Sequence, residues 1–327
     1  MMLRCGSQTI DLSRPVVMGV LNVTPDSFSD GGQYRQVDAA VSHGLRMVEQ
    51  GAAIIDVGGE STRPGADPVD ADEEIRRVVP VIEKLRGQTD AIISVDTSKP
   101  QVMRAAAAVG AGLINDVRSL SEKGAVEAAV ATECAVCLMH MQGDPRSMQL
   151  APHYADVVNE VKAFLEQRVN VCRAAGMAAD RMVIDPGFGF GKTLEHNLQL
   201  LRHLGKLGLA ACGERPPMGS PHAANGWPWT DTLGLREAGT AQRNGRAGLR
   251  SRDGCLRGIE LPIMVGLSRK SIVGRLTGRP SGERVHGSVA LAVIAVMNGA
   301  RIVRVHDVGA TVDALKTVAA VLGWDDK

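Results

Sequence analysis

The sequence has no excess of charge of either sign. Lysine plus arginine number 37 and aspartate plus glutamate 36, so the formal net charge is +1. That balance produces no bulk attraction to nucleic acid or to an anionic membrane. Long apolar runs are missing as well, which excludes a bilayer-spanning helix. Met1 to Ile10, with its single Arg4, lacks the apolar core of a secretory signal, and a cytoplasmic protein is expected. Cysteine is sparse: Cys5, Cys134, Cys137, Cys172, Cys212 and Cys255 are too scattered for a disulfide framework. Cys134 and Cys137 form a C-x-x-C pair with no second pair beside it. Positions i and i+3 on a strand face opposite sides, so no shared metal is expected there.

What is present is a rhythm. The 327 residues are 44% hydrophobic and 22% charged, an ordinary globular balance with material for one barrel or two domains. A short apolar run, a polar residue, a loop and a helical stretch recur about eight times. The runs are Val16 to Leu21, Ile54 to Val57, Ile92 to Val95, Leu113-Ile114, Val136 to Met139, Met182 to Ile184, Ile263 to Leu267 and Ile302-Val303. Such runs fit strands buried on both faces of a parallel sheet. Helix starts are expected at the Asp70 to Glu73 capping box, at Ser98 before Pro100 and at Thr193. Ala155 to Ala175, Ser288 to Asn298 and Val308 to Leu322 read as helices. The expected fold is α/β, a (β/α)8 TIM barrel over residues 1–327, with an N-terminal β-hairpin plugging its bottom.

One stretch, residues 211–260, breaks the rhythm. It is rich in Gly, Pro and Arg, and reads as a flexible insertion between helix 6 and strand 7, on the bottom face. Trp227-Pro228-Trp229 offers a second reading as a docking segment, which the composition favours less.

The segment Gly187 to Thr193 ends like a phosphate-binding loop. Pro186 stands where the first glycine of that motif is required, so an NTPase is discounted. Other loops carry more. Ser61, Thr62 and Arg63 suit anionic oxygens. Arg63, Lys270, Arg304 and His306 are expected to form a cationic cup, since barrels often hold phosphate after strands seven and eight. Asn22 is a candidate Mg²⁺ ligand. Asp96, Asn115 and Asp185 end three strands. They would be satisfied by the barrel's own cations, or would accept from a guanidine-like edge of a heterocycle. Val20, Val117, Met139 and Phe190 would supply flat walls.

In order along the chain stand Asn22-Val23-Thr24-Pro25-Asp26-Ser27-Phe28, Gly59 to Gly65, Asp96-Thr97-Ser98-Lys99-Pro100 and Ile114-Asn115-Asp116-Val117. They are followed by Met139 to Gly143, Asp185 to Lys192, Ser268-Arg269-Lys270-Ser271 and Arg304 to Val308. By these motifs the chain resembles the bacterial dihydropteroate synthases, outside 211–260. The resemblance implies that 6-hydroxymethyl-7,8-dihydropterin diphosphate is joined to 4-aminobenzoate in folate biosynthesis, with sulfonamides competing. It assigns the pterin to Asp96, Asn115, Met139, Asp185, Phe190, Lys270 and Arg304. The diphosphate falls to Thr62, Arg63, Arg304 and His306, with Mg²⁺ on Asn22. The aminobenzoate falls to Phe28, Pro64, Phe190, Lys270 and Ser271. Arg63, Lys270, Asp30 and Asp96 carry the catalysis, and the enzyme is a homodimer through late helices. Two alternatives remain at this point: a pterin-binding methyltransferase domain with a corrinoid partner, and a silent pterin-binding paralogue.

Overall fold

A computed structural model describes residues 1–24, 33–60, 69–143, 148–149, 151–211 and 259–323. An antiparallel hairpin opens the chain, β1 (Met2–Cys5) with β2 (Gln8–Asp11). Then follow β3 (Val16–Asn22), α1 (Gln33–Glu49), β4 (Ile54–Gly58), α2 (Ala71–Arg86), β5 (Ile92–Asp96), α3 (Pro100–Ala108), β6 (Leu113–Asp116) and α4 (Ala125–Thr132). Next come β7 (Ala135–Met139), α5 (Val157–Ala174), β8 (Met182–Asp185) and α6 (Leu194–Arg202). Beyond the short β9 (Ala210–Ala211) and β10 (Ile259–Glu260), the chain finishes with β11 (Ile263–Val265), α7 (Ser271–Thr277), α8 (Val285–Met297), β12 (Ala300–Val305) and α9 (Val308–Val321). The barrel closes in the order β11-β12-β3-β4-β5-β6-β7-β8, every pair parallel.

The strands form because each must be apolar on both faces: outward side chains meet the helices and inward ones fill the barrel. The two-residue period of a strand sorts them. Met18, Ile54, Ile92, Leu113, Ala135, Val183, Met264 and Ile302 make an inward apolar layer. Leu3 and Cys5 of the hairpin and Leu12 after it pack against that layer, so the hairpin does plug the barrel's lower end. Two residues further along, the same inward face turns polar on five of the strands, at Asp56, Ser94, Asn115, Asp185 and Arg304. Cys137 belongs to the inner cluster, whereas Cys134 Sγ lies against Ala111 O at 3.2 Å. The pair is divided between two environments, as the strand period requires.

Helix starts agree with the sequence at four places, among them α9 at Val308, and differ at two. The Asp70 side chain accepts from Glu73 N at 2.8 Å, but Glu73 gives its carboxylate to Arg77 and Arg76, so only half of the box forms. Asp156 caps α5. Thr193 and His196 make a reciprocal box at α6. Ser98 caps nothing: α3 begins after Lys99, and Ser98 Oγ donates to Asp116 instead. Ser288 lies inside α8, its Oγ donating to Arg284 O at 2.7 Å. A hydroxyl bonded one turn back does not end a helix.

The barrel unit comprises residues 1–209 and 260–327, and residues 210–259 are a separate unit. The insertion was expected at 211–260. Its residues 212–258, with Trp227 and Trp229, lie outside the described residues. No described helix is long and apolar enough to cross a membrane.

Candidate functional site

Register places the polar residues. Asn22 pairs with Gly58, Gly58 with Asp96, and Asp96 with Asn115, so four strands bring one row to the carboxyl end of the barrel. Met139 and Asp185 pair across β7 and β8. Of the sequence-expected residues, this mouth unites Asn22, Asp96, Asn115, Met139, Asp185, Phe190, Lys270, Arg304 and His306. Phe28, Asp30, Thr62, Arg63 and Pro64 lie outside the described residues.

One layer deeper is Asp56, which reading β4 as a plain apolar run overlooked. It is fully buried. Its Oδ2 accepts from Arg304 Nε at 2.6 Å and from Asn115 Nδ2 at 3.0 Å. Oδ1 is buried with no hydrogen-bond partner among the described residues. Arg304 Nη2 donates to Asp96 Oδ2 at 2.7 Å. Burial pulls the guanidinium pKa down, but Asp56 and Asp96 pull harder and raise it. The expected cup therefore has one member turned inward, bridging two carboxylates of the heterocycle side. The sequence signal was available: a lone aspartate inside Ile54-Ile55-Asp56-Val57 has no place in a dry strand unless it is paired.

Burial raises Asp96 to about 7, with Arg304 opposing and Asp56 reinforcing the shift. Burial also raises Asp185, with Lys270 as the main opposing charge. Asp185 Oδ1 accepts from Gly187 N at 2.7 Å, which starts the loop after β8. Lys270 is pulled down to about 8 by burial, against the attraction of Asp185. Its Nζ donates to Phe188 O and stands 4.5 Å from the centre of the Phe190 ring. A cation held on an aromatic face and a carbonyl makes one wall of a flat pocket.

The last two strand ends are tied together. Arg269, at φ 57°, binds Asp307 through two nitrogens, Nε to Oδ2 at 2.9 Å. Arg284 Nη1 donates to Arg269 O at 2.9 Å and Lys270 O at 3.3 Å. Ser268 Oγ accepts from His306 N at 3.2 Å and lies the same distance from its Nδ1. These bonds fix the path on which Lys270 and His306 stand. Ser271 opens α7 immediately after.

Asp116 points the other way. It accepts from Ser98 Oγ, from Arg118 N at 2.8 Å and from Leu120 N at 2.7 Å, holding a turn in which Ser119 and Leu120 take positive φ. Ser119 Oγ then donates to Met139 O at 2.7 Å, linking that turn to the end of β7. Lys99 was also not singled out as a site residue. It joins Glu60 to the fully buried Glu74 of α2, at the base of the segment leading into residues 61–68.

The chain matches the family model described as pterin binding enzyme over residues 18–212 and 234–306. It is 46% identical to the dihydropteroate synthase of Escherichia coli (strain K12) over 96% of this chain and 94% of that one. A structure of the Yersinia pestis dihydropteroate synthase in a complex with a sulfonamide drug superposes with a TM-score of 0.79. The two are 46% identical over 99% of this chain and 100% of that chain. The dihydropteroate synthase of Xanthomonas albilineans in complex with 7,8-dihydropteroate superposes with a TM-score of 0.76, at 44% identity over 98% and 99% of the two chains.

Proposed function

The chain belongs to the dihydropteroate synthases of the pterin-binding enzyme family, and from that membership we propose how its barrel mouth works. It condenses 6-hydroxymethyl-7,8-dihydropterin diphosphate with 4-aminobenzoate, giving 7,8-dihydropteroate and diphosphate. The single observation that carries the assignment of roles is the shared row of Asp96 and Asn115, with Asp185 and the cations Lys270 and Arg304 facing the same mouth.

Asp96, Asn115 and Asp185 receive the N–H edge of the pterin, Met139 lies against its face, and Lys270 closes the ring edge. A carboxylate matches the forked donors of a guanidine-like group. Thr62, Arg63 and His306 take the diphosphate, while Arg304 is held on the pterin side by Asp56 and Asp96. The bond from the pterin CH₂ to the diphosphate oxygen breaks, and its electron pair leaves with the diphosphate. The amine nitrogen of aminobenzoate then supplies the pair for the new C–N bond and loses one proton to solvent. Asp30 and the pterin-site carboxylates stabilise the cationic pterin between the two events. Phe28, Pro64, Phe190, Lys270 and Ser271 form the aminobenzoate pocket, where a sulfonamide competes.

Asn22 offers one half-buried amide oxygen at the end of β3, and no group of three His, Cys, Asp or Glu able to hold a metal occurs among the described residues. That donor set fits Mg²⁺, which takes few protein ligands beside phosphate and water. When bound, Mg²⁺ supplies charge neutralisation to the diphosphate. Exposed Leu276, Ile294 and Met297 on α7 and α8 support a homodimer through those helices. The four cysteines among the described residues are free and buried, which fits a reducing cytoplasm.

The test is a coupled assay with both substrates, with and without Mg²⁺ and a sulfonamide. Dihydropteroate and diphosphate are expected in equal amounts, less of each without Mg²⁺, and less with the drug. Pterin binding without diphosphate release would mark a silent pterin binder and sink the proposal.

A further inference from the structure

Lys192 is the lysine that makes the loop after β8 resemble a phosphate-binding loop, and the reaction described above leaves it without a task. Its side chain is buried within the protein: the residue is 3% exposed. An ammonium has three N–H donors. Here they meet His140 Nδ1 at 2.9 Å, Gly187 O at 3.0 Å and Phe190 O at 3.0 Å, with His140 O further off at 3.4 Å. No donor remains for a ligand. Burial and Lys192 together hold the His140 ring neutral, lowering it to about 3, so Nδ1 is free to accept. Burial draws Lys192 down to about 7, while the Asp185 carboxylate favours its charged form.

The two carbonyls that Lys192 holds bracket a loop of low intrinsic stiffness. Gly187, Gly189 and Gly191 take φ of 69°, 81° and 60°. Glycine at such positions leaves the backbone many alternatives. Between the pinned carbonyls stand Phe188, whose O receives Lys270, and Phe190, whose ring lies under the same ammonium. His140 belongs to the preceding strand end, so the loop is tied to a second barrel strand.

We propose that Lys192 is a positioning residue: it fixes the 187–190 loop so that Phe188 O and the Phe190 ring hold Lys270 in the aminobenzoate pocket. This rests on the pocket of Phe190, Lys270 and Ser271 assigned above. The pterin shares Lys270 and Asp185 with this loop but keeps Asp96 and Asn115 on β5 and β6 outside it, so the larger effect falls on the aminobenzoate.

The experiment is steady-state kinetics of Lys192→Met, varying each substrate in turn. KM for 4-aminobenzoate is expected to rise by about tenfold, while KM for the pterin diphosphate stays within about twofold. In a Phe190→Ala background the same substitution should cost much less, because the ring it positions is gone. Unchanged KM values, an equal rise in both, or additive costs in the double variant would each overturn the proposal. His140→Leu removes one acceptor and leaves Lys192 in place. It should show the same division at smaller size even if Lys192→Met does not fold, and an undivided effect there counts against the idea too. Wild-type turnover keeps the claims apart: an inactive wild type sinks the reaction assignment, and an active one with an undivided Lys192→Met sinks this inference alone.

Discussion

Arg304 and Asp56 are 248 residues apart in sequence and 2.6 Å apart in space, Nε to Oδ2. The bond closes the barrel from its last strand, β12, to β4 across β3. Asn115 shares the same oxygen. The pair orients two residues of the pterin site before any ligand arrives. Truncating one partner of a buried pair strands the other charge. Asp56→Ala should therefore lower stability by about 3 kcal/mol, and Asp56→Asn by less, in urea unfolding. Pterin affinity should fall in both, since Arg304 and Asn115 lose their common anchor. A wild-type midpoint for Asp56→Ala would refute this role.

The pH dependence has a definite sign. The pterin edge donates hydrogen bonds, so it needs Asp96 ionised. With Asp96 raised to about 7 by burial, pterin affinity should climb as pH rises through that value. Lys270, lowered to about 8 by burial, loses its charge above it. A bell-shaped kcat/KM is expected, its limbs belonging to the coupled set. For folding the direction is opposite. A carboxyl whose pKa is raised on folding contributes most below the unfolded carboxylate value of about 3.9, and that contribution is lost as pH climbs to about 7. Asp96→Asn should flatten the acid limb, and a limb that persists would assign it elsewhere.

Gly187 combines a φ of 69° with a close approach: a Cβ there would lie 1.9 Å from His140 O. No rotation relieves a clash between backbone and Cβ. Gly187→Ala should cost at least about 2 kcal/mol and disturb the aminobenzoate pocket. Thermal unfolding together with KM for aminobenzoate measures both effects. A variant as stable as wild type would show that the loop takes another path.

Arg63→Ala tests the cation assigned to the leaving group. Diphosphate release should collapse by about a hundredfold or more, while pterin binding, followed by fluorescence titration, largely survives. Lost pterin binding with intact release would reverse the assignment.

Asn22→Ala should raise the Mg²⁺ concentration giving half-maximal rate by about tenfold, with the maximal rate recovered at high Mg²⁺. An unchanged Mg²⁺ requirement would remove Asn22 from the metal site.

The eight parallel strands were legible because each is an apolar run ended by a polar residue, and a parallel strand covered on both faces permits little else. The site residues at those ends were legible for the same reason: Asp96, Asn115 and Asp185 interrupt apolar runs at the position that barrel geometry exposes. Thr193 and Asp70 announced their helices through capping chemistry that acts within four residues. Pairings between distant strands were not legible. Closure alone brings Arg304 against Asp56 and Asp96, turning one expected diphosphate cation toward the heterocycle side. Closure likewise sets Lys192 among the carbonyls of its own loop and the ring of His140, where the local motif suggested a phosphate. Ser98, an obvious cap by sequence, serves Asp116 at the end of β6 instead, a partner that only the fold supplies. The sequence by itself determined periodicity and local capping, since both depend on neighbours along the chain. Tertiary structure decided which buried charges share a partner, since that depends on a register of strands far apart in the chain.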